Sequence, residues 1–577
     1  MAFHYEWVAP VRRGIRLEIC RPFYDNVVRM GMQRSSNHAP STMSADGVDA
    51  TPSPDETSCI ALILPKHRLR EWHRELLAHI GRTHEVNVFL DDRSPPYSLA
   101  IQLWLKLERL TLRSCTLAKP IAPEKHWRPV SALGDLQSRT VINLSECSGP
   151  HPNALEIRYD GALDSRALAD RLLSQKSPCL TVHRAGHEKA LVSSRLAIEE
   201  KLSIVRGLQA AFARCISLVA RGLEQVEDEV AGVTSEIAVP RRGSLLAFIL
   251  EVIARKVSNV LMRPFRHRDH WHVALRDGAR TFKVIEDDGE RFYADPFVQM
   301  WQGRTFLLVE EYPYATRRGI ISAAEVVGDE ILAPPTPVLT RAYHLSYPFI
   351  FEHDGDIYMM PETGENRSLE LYRAVEFPWK WELNTVLMEG AVFSDATALF
   401  HNGLWWIFVT ADSIGASTQD QLSIFYSDTL QGIWTAHRAN PVKSDSRSSR
   451  PAGRILRQNG RLFRPAQNCE ESYGAGIVWF EITELSPERF SERQVVAWDG
   501  CAELGATGLH SFDQLGGLQV IDFAHSIGRG WLRRRLRTVT PRDGGNMDAC
   551  FSRTSHHLQL DRLENANPRL KRSKADL

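Results

Sequence analysis

Three carboxylic acids stand at comparable points in the C-terminal half of the chain, each beside an apolar run. Asp295 lies in the segment YADPF, Glu362 in MMPET and Asp395 in FSDAT. Carboxyl groups brought close together cannot all ionise, because mutual repulsion raises the pKa of at least one of them. One protonated and one ionised carboxyl are the partners that general acid–base catalysis requires. Asp295, Glu362 and Asp395 are therefore candidate catalytic residues, with Glu362 as the acid and Asp395 as a group that tunes a partner's pKa.

A second set of polar residues is suited to holding a ligand. Guanidinium, amide and imidazole groups bind hydroxyl, carboxylate and phosphate groups through directional hydrogen bonds. The candidates for substrate binding are Tyr347, Arg450, Arg464, Gln467, Asn468 and His510. Trp405 and Trp406 alternate along a predicted strand, so one is expected in the core and the other is a candidate for stacking on a ligand.

Each candidate also has a purely structural interpretation. Asp295 precedes a proline and could cap a turn, as could Asp395. Glu362 could pair with one of the arginines that follow it in the chain. Arg450 could form a structural ion pair, and His510 could be a buried core histidine. The pattern alone leaves these alternatives open.

Five copies of one pattern must position these residues. The copies begin at Tyr293, Ser346, Phe393, Ser449 and Thr507, and each contains an apolar run, a turn with glycine and a second apolar run. The turn glycines, spaced by 48 to 57 residues, are Gly303, Gly355, Gly403, Gly460 and Gly516. A period of about 50 residues with short strands and glycine turns is typical of a β-propeller. The sequence therefore predicts an all-β five-bladed β-propeller over residues 265–530.

The propeller architecture would gather the candidates. The first strand of each blade lines the central channel, so polar residues at equivalent strand starts converge on one site. The equivalent positions in the first three copies are Asp295, Tyr347 and Asp395. A ring of blades is usually closed by a strand from outside the repeat, and the segment HWHVALRDG at 270–278 is the candidate for that strand.

The N-terminal half has a different pattern. Buried-strand patterns such as CIALILP at 59–65 alternate with amphipathic stretches at 99–112 and 203–223. The chain is therefore predicted to be multidomain, with a small Rossmann-like α/β domain at 58–229 before the propeller. The two amphipathic stretches either form this domain's own core or serve docking on the propeller or self-association.

The remaining segments are short. Residues 1–57 include a stretch rich in Ser, Pro, Asp and Thr and are predicted to be disordered or poorly defined. Residues 230–264 are predicted to be a linker and a helix, and residues 531–577 a polar basic tail that is solvated rather than bound to a partner.

Composition excludes several classes of function. Lys plus Arg and Asp plus Glu are both 70, so the net charge of zero argues neither for nucleic acid nor for an anionic membrane, and no nucleic-acid partner is expected. No apolar stretch reaches the roughly 18 residues of a transmembrane helix. The nine cysteines stand singly, which suggests reduced thiols and a cytoplasmic location. The sequence contains neither a GxGxxG nor a GxxxxGK[ST] motif for nucleotide binding, so no cofactor is expected. His267, His270 and His272 resemble a metal-binding set, but His270 and His272 share a strand face with no third ligand motif nearby, so no metal is expected.

The motifs of the repeat resemble a known family. ADPF, SYPFIFEHDGDIYMMPE, SDATALFHNGLWWIF, SRPAGRILRQNGRLFRPAQN and SYGAGI are similar, in order and spacing, to a five-bladed propeller related to family 43 glycoside hydrolases. The nearest resemblance is to the N-terminal propeller of the glucosamine inositolphosphorylceramide transferase family and its bacterial relatives. It covers roughly residues 265–525.

This resemblance implies a carbohydrate or glycoconjugate ligand in the channel. Asp295 matches the family position of the general base, and the hydrolases take their acid from a glutamate in a later blade. Here the fourth copy offers Arg450, Arg464, Gln467 and Asn468 instead, groups suited to binding. The leading expectation is cleavage or transfer of a glycosyl unit, and the alternative is non-catalytic binding of a glycan or glycolipid headgroup. A third possibility is an interaction scaffold with neither binding nor turnover.

The bacterial relatives often carry a formyltransferase-like domain in front of the propeller. Residues 58–227 resemble a shortened, degenerate version of it. No HxSLLPxYRG-like segment is present. The domain is therefore expected to have no active site of its own.

Overall fold

The computed structural model describes the chain between Cys59 and Gly528, with gaps. The described residues are 59–112, 115–135, 140–149, 151, 153–224, 243–261, 267–278, 282–412, 417–498 and 505–528. The segments predicted as disordered (1–57) and as a basic tail (531–577) lie outside them, as do parts of the linker predicted at 230–264. No helix among the described residues combines the length and the apolar character needed to cross a lipid bilayer.

Strands and helices alternate through the first half of the described chain. The strands are β1 (Cys59–Pro65), β2 (Glu85–Asp91), β3 (Arg128–Pro129), β4 (Thr140–Asn143), β5 (Leu155–Tyr159), β6 (Cys179–Arg184) and β7 (Ala190–Arg195). The α-helices are α1 (Glu71–Ile80), α2 (Leu99–Thr111), α3 (Arg166–Leu173), α4 (Ile204–Glu224) and α5 (Leu245–Leu261). Short 3₁₀ turns occupy Lys66–Arg68 and Val130–Asp135.

These strands form one mixed sheet in the order β3-β2-β1-β4-β5-β6-β7. The pairs from β3 to β5 are parallel, and β5-β6 and β6-β7 are antiparallel. The apolar run of β1 lies near the centre and is buried over six of its seven residues, as expected for a strand covered on both faces. The finer assignment of this unit as Rossmann-like stays a prediction.

Helix α4 is the main cover of this sheet. Trp72 of α1 stacks on Phe212 of α4 with ring centroids 5.4 Å apart. A Cβ at Gly207 would lie 2.6 Å from a methyl carbon of Leu172, so a larger residue there would push α3 and α4 apart. The predicted amphipathic stretch at 203–223 therefore belongs to the core of this unit.

The second half of the chain is a five-bladed β-propeller, as predicted. Blade 1 contains β10 (Arg291–Trp301), β11 (Arg304–Pro313), β12 (Ile320–Val327), β13 (Glu330–Ile331) and β14 (Thr336–Leu339). Blade 2 contains β15 (Ser346–His353), β16 (Asp356–Glu362), β17 (Ser368–Glu376) and β18 (Lys380–Glu389). Blade 3 contains β19 (Val392–His401), β20 (Leu404–Asp412), β21 (Ser423–Ser427) and β22 (Thr435–Ala436). Blade 4 contains β23 (Leu456–Gln458), β24 (Arg461–Asn468), β25 (Gly476–Leu485) and β26 (Phe490–Trp498).

Blade 5 closes the ring with strands from both ends of the propeller. It is ordered β27 (Phe512–Leu515), β28 (Leu518–Gly528), β8 (His267–Asp277) and β9 (Lys283–Val284). β8 and β28 pair antiparallel along their whole length, from Leu518 opposite Asp277 to Gly528 opposite His267. The closing strand predicted at 270–278 is therefore confirmed.

The hairpin turns explain why the glycines recur. The residue pairs Gln302-Gly303, Asp354-Gly355, Asn402-Gly403 and Asn459-Gly460 join the first two strands of blades 1 to 4. Both residues of each pair have positive φ, near 50° for the first and between 75° and 82° for the glycine. Two positive φ values in succession define the turn that suits the twist of a two-residue hairpin.

The N-terminal unit contacts the propeller through polar groups. Arg214 of α4 forms an ion pair with Asp420, and both side chains are about 2 % exposed or less. The backbone N–H of Ala197 donates to the other carboxylate oxygen of Asp420 at 2.9 Å. Arg195 in β7 pairs with Glu470 at 2.9 Å. Docking on the propeller, one of the predicted alternatives, thus involves β7 and α4.

The other predicted docking stretch, residues 99–112, is different. It forms helix α2, on which several apolar side chains are more than half exposed, namely Leu99, Leu103, Leu107 and Leu110. The predicted self-association of this unit is not tested by the structure.

Candidate functional site

The first strands of blades 1 to 3 share an irregularity at the same point. Asp295 in β10, Tyr347 in β15 and Asp395 in β19 have φ values of 49°, 44° and 54°. The pairing of each strand with its neighbour shifts at this residue. A bulge redirects side chains, and positive φ in a residue other than glycine is uncommon. The three residues expected to be equivalent are therefore held in one repeated, unusual conformation.

Asp295 belongs to a charged group with His510 and Asp522. Nε2 of His510 lies 3.2 Å from Oδ1 of Asp295, and Nδ1 lies 3.0 Å from Oδ1 of Asp522. The carboxylate of Asp522 accepts hydrogen bonds from the backbone N–H groups of Asp295, His510 and Ser511 at 2.8, 3.2 and 2.9 Å. Asp522 thus fixes the backbone on either side of the pair.

The protonation of this group follows from its charges. Burial alone would lower the pKa of His510, but the carboxylates of Asp522 and Asp295 raise it well above its ordinary value. Burial alone would raise the pKa of Asp295, but the charge of His510 outweighs it and holds that pKa below the ordinary value. Asp295 is therefore ionised and His510 is an imidazolium.

Asp395 is held by two residues of blade 4. Nε and Nη2 of Arg450 donate to its two carboxylate oxygens at 2.6 and 3.2 Å. The side-chain amide of Gln467 donates to Oδ2 at 2.6 Å and to the carbonyl oxygen of Pro451 at 2.8 Å. Burial raises the pKa of Asp395, and the charge of Arg450 opposes that rise. The structure therefore brings Asp395, Arg450 and Gln467 together, as the sequence predicted.

Glu362, at the end of β16, lies beside this cluster. Its Oε2 is 3.5 Å from Nη2 of Arg450 and accepts the backbone N–H of Asp395 at 3.3 Å. Its side chain is 11 % exposed, against 3 % for Asp395 and 6 % for Asp295. Burial, with the repulsion of the Asp395 and Asp295 carboxylates, raises the pKa of Glu362 to about 8, although Arg450 opposes the rise. Glu362 is therefore mainly protonated at neutral pH.

Sequence reasoning missed a fourth carboxyl group, Glu310. It lies in β11 opposite Ala294, at the position that Glu362 takes opposite Ser346 in blade 2. Its Oε1 is 3.3 Å from Nε2 of His344. Burial and then the charge of Asp295 raise the pKa of Glu310 well above its ordinary value. Alignment of the second strands of the copies, rather than the first strands alone, would have found it.

Two further residues were missed. Asp522 has no recognisable equivalent in the other copies of the repeat, because it lies on the second strand of the weakest copy. Tyr473, in the loop before β25, has its ring beneath the guanidinium of Arg450 at 5.2 Å and beside His510 at 5.2 Å between ring centroids. It joins the Asp295 and Asp395 groups, and its segment SYGAGI was noticed only as a family motif.

Several predicted residues are placed in the protein interior. The hydroxyl of Tyr347 lies 2.8 Å from Oγ1 of Thr397, and the residue has no exposed surface. Its backbone N–H donates to Oδ2 of Asp295 at 3.1 Å, so it fixes the catalytic candidate from behind. Trp405 and Trp406 are 5 % and 1 % exposed. The expectation that one of the two tryptophans stacks on a ligand is therefore wrong, because both are packed in the blades.

Two predicted ligand-binding residues are not brought to this cluster. Arg464 is 1 % exposed, and its guanidinium donates to both oxygens of Glu492 at 2.9 and 2.8 Å. Asn468, at the end of β24, accepts the backbone N–H of Glu470 at 3.1 Å. Arg464 therefore joins the second strand of blade 4 to the fourth, and for both residues a role in binding stays a prediction.

The Asp295, His510 and Asp522 donors are close enough together to surround a cation. His510, however, already provides the positive charge between the two carboxylates. A metal ion would have to displace its proton, so this group favours an internal ion pair over a metal centre.

Part of the propeller is similar in sequence to known proteins. Residues 281–501 match the family model described as Glucosamine inositolphosphorylceramide transferase 1, N-terminal. The protein of that name from Arabidopsis thaliana is 37% identical over 208 residues, which cover 35% of this chain and 27% of the relative. The protein from Oryza sativa subsp. japonica is 35% identical over the same length and coverage. The predicted bacterial source has no support among these plant relatives.

Solved structures with low similarity were also found. An exo-beta-1,3-galactanase from Clostridium thermocellum is 13% identical, covers 37% of this chain and 53% of its own, and has a TM-score of 0.30. A thermostable family-43 glycoside hydrolase is 12% identical, covers 44% and 89%, and has a TM-score of 0.30. Sequence identities and TM-scores this low support no inference about function.

The family match includes Asp295, Glu310, Glu362, Asp395 and Arg450, and it ends before His510. It does not reach the N-terminal sheet, so the formyltransferase-like resemblance stays a prediction. The propeller region from 281 to 501 is thus similar to the N-terminal part of these transferases, and the chain spans about a quarter of the length of the curated relatives it matches.

Proposed function

We propose that the propeller channel is a carbohydrate site in which Glu362 and Asp295 act as an acid and a base on a glycosyl unit. The observation that carries this proposal is the opposed pKa shifts of two buried carboxyl groups that interact electrostatically. The pKa of Glu362 is raised to about 8, whereas that of Asp295 is lowered. Pairs of carboxyl groups whose environments separate their pKa values are the usual mark of an acid–base assignment.

The proposed chemistry divides the work between the two groups. Glu362 donates its proton to the glycosidic oxygen of the leaving group as the bond from that oxygen to the anomeric carbon breaks. Asp295 accepts a proton from the attacking water or acceptor hydroxyl as the new bond to the anomeric carbon forms. Arg450 and Gln467 hold Asp395, whose charge disfavours ionisation of Glu362. Attack by water gives hydrolysis, and attack by a second alcohol gives transfer.

The alternative function is binding without catalysis. It is favoured by one observation, namely that Arg450 and Gln467 of blade 4 occupy Asp395 with three hydrogen bonds. In this case the exposed edge of Glu362 and the ring of Tyr473 would contact a glycan or a glycolipid headgroup. The names of the plant relatives mention glucosamine and inositolphosphorylceramide, and we include both groups among the ligands to be tested.

A substrate panel separates the two functions. The purified chain is assayed against aryl furanosides and pyranosides, with calorimetry on oligosaccharides and on glucosamine- and inositol-phosphate-containing headgroups. Catalysis predicts turnover that falls at least about a hundredfold in Asp295→Asn and Glu362→Gln, since acid–base groups contribute about 10²–10⁴-fold each. The matched control is Glu352→Gln, an exposed carboxyl on the first strand of the same blade as Glu362.

The outcomes are distinct. Turnover unchanged in Asp295→Asn removes Asp295 as the base. Ligand binding that persists in both variants, with no product from the wild type, establishes the binding function. Absence of both binding and turnover rejects the carbohydrate site and leaves an interaction scaffold.

We further propose a supporting role for the N-terminal unit and a cytoplasmic location. Arg195 and Arg214 on its face contact the propeller, which suits a docking domain without an active site. The described cysteines are all free thiols, which suits a reducing compartment. A formyl-transfer assay on the whole chain tests the first proposal, because any turnover would contradict it, and fractionation of the native cell tests the second.

A further inference from the structure

Two histidines of the closing blade and one aspartate form a cluster outside the channel group. His270 and His272 are two residues apart on β8 and so share a face of the strand. Asp287 lies in the connection between β9 and β10. Donor atoms of the three residues all lie within 4.8 Å of one another. Nε2 of His270 is 2.8 Å, and Nδ1 of His272 is 4.0 Å, from Oδ2 of Asp287.

His272 is the unusual member of this cluster. It is 2 % exposed, and neither of its ring nitrogens has a hydrogen-bond partner among the described residues. A buried polar group without a partner is costly, and native proteins almost always satisfy it. One ring nitrogen points toward the same carboxylate oxygen that His270 contacts. A ligand placed between the three donors would satisfy it.

The other two residues are already oriented by second contacts. Nδ1 of His270, the nitrogen away from Asp287, lies 2.6 Å from the hydroxyl oxygen of Tyr314. Oδ1 of Asp287 accepts the backbone N–H of Gly289 at 2.7 Å and leaves Oδ2 facing the histidines. Metal-binding histidines and carboxylates are typically oriented in this way by hydrogen bonds to their non-ligating atoms.

We propose that His270, His272 and Asp287 bind a divalent transition-metal ion, with zinc as the ion that the donor set suits best. Two imidazoles and one carboxylate are a recurrent set for zinc, and three protein donors leave a fourth position for water. Calcium and magnesium are disfavoured, because they take oxygen donors. Separations of 2.8 and 4.0 Å between donors would need only a small adjustment around an ion with bonds of about 2.0–2.2 Å.

The position of the cluster implies a structural purpose. β8 belongs to the blade that closes the ring, and Asp287 precedes the first strand of blade 1. An ion bound to all three residues would therefore fasten the closing blade to the first blade. Trp271, between the two histidines, lies on the other face of β8, where its ring centroid is 4.1 Å from that of His510. The proposed ion is thus separated by one strand from the channel group.

The test uses the whole chain after removal of metal with a chelator. Zinc alone is titrated by calorimetry, and cobalt(II) is added as a spectroscopic probe of coordination. The proposal expects one zinc equivalent whose affinity falls more than about a hundredfold in His272→Gln and in Asp287→Asn. Tyr314→Phe, which removes only the outer contact, should lower the affinity by roughly tenfold to a hundredfold. Zinc should also raise the melting temperature of the wild type and not of His272→Gln.

His437→Gln is the matched control. His437 is also 2 % exposed, with an unpartnered Nε2, but it belongs to no cluster of donors within the described residues. Its zinc affinity should equal that of the wild type. Affinity unchanged in both ligand variants would mean an adventitious ion only, and it would overturn the proposal, as would absence of zinc binding in the wild type. Where a variant does not fold, the cobalt spectrum of the wild type decides, because a spectrum of free aqueous cobalt also overturns it.

Discussion

Arg450 donates to both carboxylate oxygens of Asp395, with Nε 2.6 Å from Oδ2 and Nη2 3.2 Å from Oδ1. This pair joins the segment before β23 of blade 4 to the first strand of blade 3, and Nη2 of Arg450 also lies 3.5 Å from Oε2 of Glu362. The geometry makes Arg450 both a structural tie and the charge that limits the pKa shifts of two carboxyl groups.

Replacement of Arg450 by Met should destabilise the propeller by about 3–5 kcal/mol, because it leaves the buried carboxylate of Asp395 without its partner. Chemical unfolding measures the loss. Arg447→Met is the control, since Arg447 pairs with Asp445 at 2.7 Å but is half exposed. A surface pair of this kind contributes about 0–1 kcal/mol. Equal losses in the two variants would show that the Arg450 pair is not buried in solution.

The raised pKa of Glu362 predicts a dependence of stability on pH. In the unfolded chain the carboxyl loses its proton near its ordinary pKa of 4.5, whereas in the folded protein it keeps the proton up to about pH 8. Between these values the folded state binds more protons, so stability falls as the pH rises. Glu362→Gln, which cannot ionise, should remove this part of the fall and be the more stable protein above pH 8.

Melting temperatures of the wild type and Glu362→Gln, recorded from pH 4 to 9, measure this effect. The melting temperature of the wild type should fall relative to that of Glu362→Gln between about pH 4.5 and pH 8, and the difference between the two should be constant outside that range. Glu352→Gln, on the exposed side of the same blade, should follow the wild type throughout. Parallel curves for wild type and Glu362→Gln would contradict the assignment of Glu362 as a protonated acid.

Replacing Asp522 by Asn and Glu310 by Gln should lower the free energy of unfolding by different amounts. Asp522→Asn removes the charge beside His510 and part of the acceptor that binds three backbone N–H groups, so it should cost about 3 kcal/mol. Because burial and the charge of Asp295 raise the pKa of Glu310 well above its ordinary value, we expect Glu310→Gln, which puts a neutral amide there, to cost less than about 1 kcal/mol at neutral pH. Urea unfolding at pH 7 compares them, and a larger loss in Glu310→Gln would mean that this carboxyl is ionised.

The Arg214–Asp420 pair predicts strong coupling between the two units. Arg214→Met should cost about 3–5 kcal/mol because Asp420 remains buried and unpaired. Combining it with Asp420→Leu should recover part of that loss, since neither charge is then stranded. A double-mutant cycle by chemical denaturation measures the coupling energy, and additive effects would argue against contact between the units.

Much of the propeller could be predicted from the sequence because its signals are local. Asn402-Gly403 and the similar turns favour two-residue hairpins wherever they occur, so five copies indicated five blades. The equivalence of Asp295, Tyr347 and Asp395 followed from their positions in the repeat. The structure adds a bulge at each of these positions, which no pattern in the sequence predicted.

The remaining parts of the site depend on partners distant in the chain. Arg464 looked like a ligand residue, yet it pairs with Glu492 because the fourth strand of its own blade brings a carboxylate to it. Asp287 completes a cluster with His270 and His272 only because the connection into blade 1 folds back on β8. The spacing of residues in the sequence does not predict such contacts, because they depend on how whole blades pack together.

The closing blade has a consequence for biosynthesis. β8 and β9 leave the ribosome before the other four blades exist, and β27 and β28 are made after them. Until then the early strands present unpaired edges to the nascent chain and its neighbours, which is the state most open to wrong pairing. The native pairs also have a large sequence separation, and such contacts form slowly because the loop-closure entropy is lost first. Completion of the ring is therefore the last step in the folding of the propeller, and a chain that stops short of β28 would have an open propeller.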